Sequence, residues 1–72
     1  MTNDTADQTK ARIGAVLEEL AKLYPDWRFG QLVANVACWA REPTAEAVWD
    51  VEDAEFLRAA EDHLRRKLSA AT

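Results

Sequence analysis

Apolar residues recur at three- and four-residue steps through the first third of the chain. Ile13, Val16, Leu17, Leu20, Leu23 and Tyr24 share one helical face, while Arg12, Glu18, Glu19 and Lys22 fall mostly on the other. The pattern predicts an amphipathic helix over about 6–24. Thr5-Ala6-Asp7-Gln8 has the form of a capping box with Thr5 as N-cap, leaving residues 1–4 as a frayed tail. Pro25 stops the helix, because the residue before a proline is pushed out of helical geometry.

The next segment, Trp27 to Ala40, is apolar almost all round, and it predicts a second helix over about 27–41 with Asp26 as N-cap. Phe29, Leu32, Val33, Val36 and Ala40 form one face, and the small Ala34, Ala37 and Cys38 lie toward the others. A helix apolar on every side belongs inside a protein or under a partner. Gly30 costs about 1 kcal/mol relative to alanine within a helix, a cost rationalised here by close approach of a neighbouring helix. Glu42-Pro43 ends this helix.

Residues 42–50 read as a connector, with a short helical turn capped by Thr44 as one form it can take, and with Trp49 and Val51 as anchors to the core. A third helix is expected over about 51–68, capped by Asp50. Glu52, Asp53 and Glu55 then lie in its first turn and Arg65, Arg66 and Lys67 in its last, both matched to the helix dipole. Its buried stripe is Ala54, Leu57, Ala60, Leu64 and Leu68, with Phe56 at the edge. The expected fold is all-α: one domain over residues 1–72, a compact three-helix bundle with its second helix the most buried.

Length and charge narrow the picture. A chain of 72 residues buries only about 60% of its unfolded surface, so stability leans on tight packing or self-association. The single Cys38 excludes an internal disulfide, and Cys38 with the single His63 falls short of the four ligands of a structural zinc site. Thirteen acidic residues against nine Lys and Arg give a net charge of -4, which argues against a dedicated nucleic-acid binder and against an anionic membrane surface. The polar start, Met1-Thr2-Asn3-Asp4-Thr5, carries no targeting signal. The longest apolar run, Leu32 to Ala40, falls far short of the ~20 residues that span a bilayer. With one unpaired cysteine, the cytoplasm is the expected compartment.

No residue cluster specifies chemistry. The acidic run Asp50, Glu52, Asp53, Glu55 lacks the central glycine and the twelfth-position glutamate of a calcium loop, and capping with dipole complementation accounts for all four residues. His63 has no nucleophile in a recognisable motif, and Cys38, among apolar neighbours, behaves as a small hydrophobe. Arg28, Gln31, Asn35 and Glu42 fall near one seam of the second helix. Such a seam either pairs internally, for example Arg28 with Asp50 or Asp53, or faces a partner. Trp27, Trp39 and Trp49 are many tryptophans for so short a chain, and tryptophan serves both cores and binding hot spots. Core packing suits at least two of them, and Trp49 is the best candidate for partial exposure.

Two segments, Tyr24-Pro25-Asp26-Trp27-Arg28-Phe29-Gly30-Gln31-Leu32-Val33-Ala34-Asn35 and Val48-Trp49-Asp50-Val51-Glu52-Asp53-Ala54-Glu55-Phe56-Leu57, resemble a group of short bacterial proteins. That group has a P-D-x-R-x-G-Q-L helix start and a later apolar-x-apolar-E-D segment. The resemblance covers about half the chain, from Tyr24 to Leu57. It implies a bacterial cytoplasmic protein, marks Arg28, Gly30, Gln31, Glu52 and Asp53 as special positions, and carries over no catalytic residue.

The expectation is therefore a non-enzymatic, cofactor-free protein–protein interaction module, partnered by another protein or by itself as a homodimer. Its expected interface residues are Trp27, Arg28, Gln31, Trp39 and Trp49. Two alternatives are a DNA-associated regulator using Arg58, Arg65, Arg66 and Lys67, and an accessory protein of a bacterial defence or toxin–antitoxin system. The first is disfavoured by the acidic start of the third helix, where a recognition helix would meet phosphates.

Overall fold

The structure, a computed structural model, describes residues 4–44 and 46–71. The described chain is all-helical: α1 (Asp4–Leu23), α2 (Phe29–Ala40), α3 (Ala47–Asp50) and α4 (Asp53–Ala71). Of the four, α3 is the short helical turn that the connector was read as able to form, and the other three are the expected long helices. None is long and apolar enough to cross a membrane.

α1 begins at Asp4, so Thr5 lies inside the helix and is not its cap. Pro25 acts as expected. α1 ends at Leu23, the Tyr24 N–H still reaches the Leu20 carbonyl at 3.0 Å, and the Trp27 N–H closes a turn on the Tyr24 carbonyl at 3.1 Å. That turn takes up Asp26, so the N-cap of α2 is Arg28, in extended geometry and without a side-chain cap bond. At α3 the N-cap is Glu46, not Thr44, whose carbonyl instead accepts from the Ala47 N–H at 3.2 Å.

Asp50 closes α3 and does not open α4. The cap of α4 is built by Glu52, whose carbonyl accepts the Phe56 N–H at 2.9 Å while its own N–H donates to Glu55 Oε1 at 3.0 Å. This is the reach-back half of a capping box. The Glu52 N–H and then the Arg41 guanidinium, 3.3 Å away, hold the Glu55 carboxyl below its ordinary value. α4 continues to Ala71, so Arg65, Arg66 and Lys67 precede its last turn and do not lie in it.

The core draws evenly on the three long helices: Val16, Leu17 and Leu20 from α1, Leu32, Val36 and Ala37 from α2, and Phe56, Leu57 and Ala60 from α4. Ala47 adds the buried foot of α3. Three residues from each do not rank the helices, because α2 has 12 residues against 20 in α1 and 19 in α4. Phe29, Gly30, Gln31 and Trp39 on α2 are exposed, as are Ala54 and Leu68 on α4. Gly30 has nothing within 4 Å of where a Cβ would stand, so close helix approach is not its role. α4 packs most extensively on α1 and next on α2. α1 and α4 run in the same direction, with Lys10 paired to Asp53 near their starts and Tyr24 meeting His63 and Lys67 near their ends. A second cross-link, Arg12 to Glu61 at 2.8 Å, is exposed, as is the Lys10–Asp53 pair, and exposed pairs of this kind add at most about 1 kcal/mol each.

Candidate functional site

The five expected interface residues fall in three places. Trp27 and Trp39 come together at one end of the fold, whereas Trp49 stands apart on α3, and Arg28 and Gln31 are exposed at the start of α2. Among the described residues Arg28 pairs with neither Asp50 nor Asp53, and Asp53 instead meets Lys10.

The first group is an aromatic cluster. Pro25 breaks α1 just after Tyr24, and the following turn folds Trp27 flat on the Tyr24 ring, with centroids 4.1 Å apart and planes 7° from parallel. Trp39 reaches Trp27 from α2 at 6.4 Å and stacks on the His63 imidazole of α4 at 3.8 Å. The His63 Nε2 is 2.7 Å from the Tyr24 hydroxyl, and Lys67, one turn further along α4, sits over the Tyr24 ring at 5.8 Å. Burial first, then the charges of Lys67 and Arg66, lower the His63 pKa from its ordinary 6.5. With His63 neutral and its proton on Nδ1, Nε2 accepts from the Tyr24 hydroxyl. The cluster thus ties the end of α1, the α1–α2 turn, α2 and α4 to one another. The arrangement is an aromatic clasp across these elements. Sequence reasoning missed it because Tyr24 and His63 are 39 residues apart. The only local signal is the spacing of His63 and Lys67 on one helix face.

The second group is an apolar surface around α3. Trp49 is 87% exposed and Val48 43%, and α3 packs against α2, where Phe29 is 63% exposed. Val33, one turn after Phe29 on α2, lines a shallow depression with Val48, Val51, Ile13 and Phe56. Phe29 was assigned by pattern to a core face, but at the first position of α2 it stands 63% exposed. Two members of the acidic run beside this surface are engaged: Asp53 with Lys10, and Glu55 with Arg41 and the Glu52 N–H. Among the described residues, no group of three or more His, Cys, Asp or Glu side chains is placed to hold a metal ion. Cys38 is a half-buried free thiol.

Comparisons with protein-family models, curated proteins and solved structures return no match for the chain.

Proposed function

We propose that the chain is a non-enzymatic protein–protein interaction module that binds through the α3 surface. In this reading the three long helices act as a three-helix bundle, and α3 is the element that the bundle displays. One observation carries it: Trp49, among the largest apolar side chains available to a small core, is left 87% exposed beside the exposed Val48. A domain of this size has little apolar surface to spare, and burying such a side chain is worth roughly 1.5–3 kcal/mol. Exposed apolar patches rimmed by polar residues mark interaction sites, and tryptophan is over-represented among residues that dominate binding energy. Trp27 and Trp39, by contrast, are engaged with Tyr24 and His63, and that favours Trp49 as the interface tryptophan.

Sedimentation of a fluorescently tagged chain, in buffer and in an extract of cells that make it, tests the reading. The expected result is that the chain in extract sediments faster than an 8.1 kDa monomer. The Trp49→Ala variant, equally stable, should sediment as the monomer. A monomer-sized wild-type boundary in extract, or a Trp49→Ala boundary like that of the wild type, overturns it.

A further inference from the structure

We draw no further inference here: the strongest candidate, the apolar groove between α1 and α4 with Val16, Leu64 and Leu68 in its walls, carries nothing because nothing in the structure shows what covers it.

Discussion

Val36→Asp should leave the chain unfolded at room temperature, and Leu20→Ala or Leu32→Ala should each cost about 2–5 kcal/mol. Val36 and Leu20 are fully enclosed and Leu32 is 1% exposed. A carboxylate at position 36 would sit in the apolar core with no cation to meet it. The core around it is formed by Val16, Leu17, Leu20, Ala37, Phe56 and Ala60, none of which can donate a side-chain hydrogen bond. Burial of an unpaired charge costs several kcal/mol after relaxation. A domain of this length has roughly 4–11 kcal/mol of stability in all. The alanine variants remove packing without adding charge, and their cost depends on how far the helices can close over the gap. Circular dichroism and urea unfolding measure both effects. A Val36→Asp chain that melts like the wild type would mean that α2 does not pack as described.

The aromatic clasp should make stability fall with acid in a way that one residue controls. His63 has its pKa lowered in the folded chain, so below 6.5 the unfolded chain takes up the proton more readily. The stabilisation is complete above 6.5 and is lost progressively as pH falls toward the lower folded-state pKa. The melting temperature should therefore drop as pH falls through 6.5 and go on dropping toward the lower folded-state pKa. His63→Gln should flatten that drop, because it removes the titrating ring. Trp39→Ala should cost about 1–3 kcal/mol by unstacking Trp39 from both His63 and Trp27. It should also reduce the acid sensitivity, because exposure to water returns His63 toward its ordinary pKa. An acid slope identical in wild type and His63→Gln would show that another group governs it.

The parts of this fold that the sequence makes legible are those decided locally. Val16, Leu17 and Leu20 repeat at helical spacing before a proline, and that alone places α1 and its buried face. The small Ala60 between Leu57 and Leu64 likewise marks where α4 meets its neighbours. The residues misread are those decided by competition or by distance. Asp26 and Asp50 are both good caps by type, yet the Tyr24–Trp27 turn consumes the first and α3 the second, leaving Arg28 and Glu52 at the helix starts. Phe29 and Leu68 carry the right spacing for their stripes but are 63% and 52% exposed, because spacing along one helix does not show how closely its neighbours pack against it. The clasp is a tertiary arrangement of four elements with no motif. The connector reading gave Trp49 two roles, an anchor to the core and the tryptophan best placed for exposure, and at 87% exposure it is not an anchor. Trp27 and Trp39, grouped with it by residue type, instead pack against Tyr24, His63 and each other.

The α3 surface is tested most directly by placing a photo-crosslinking amino acid at position 49 in the chain as it is made in cells, with the same group at the exposed Glu18 for comparison. The account predicts a discrete polypeptide adduct from position 49 and none from position 18. Irradiation that yields no adduct from position 49, or the same products from both positions, would contradict it.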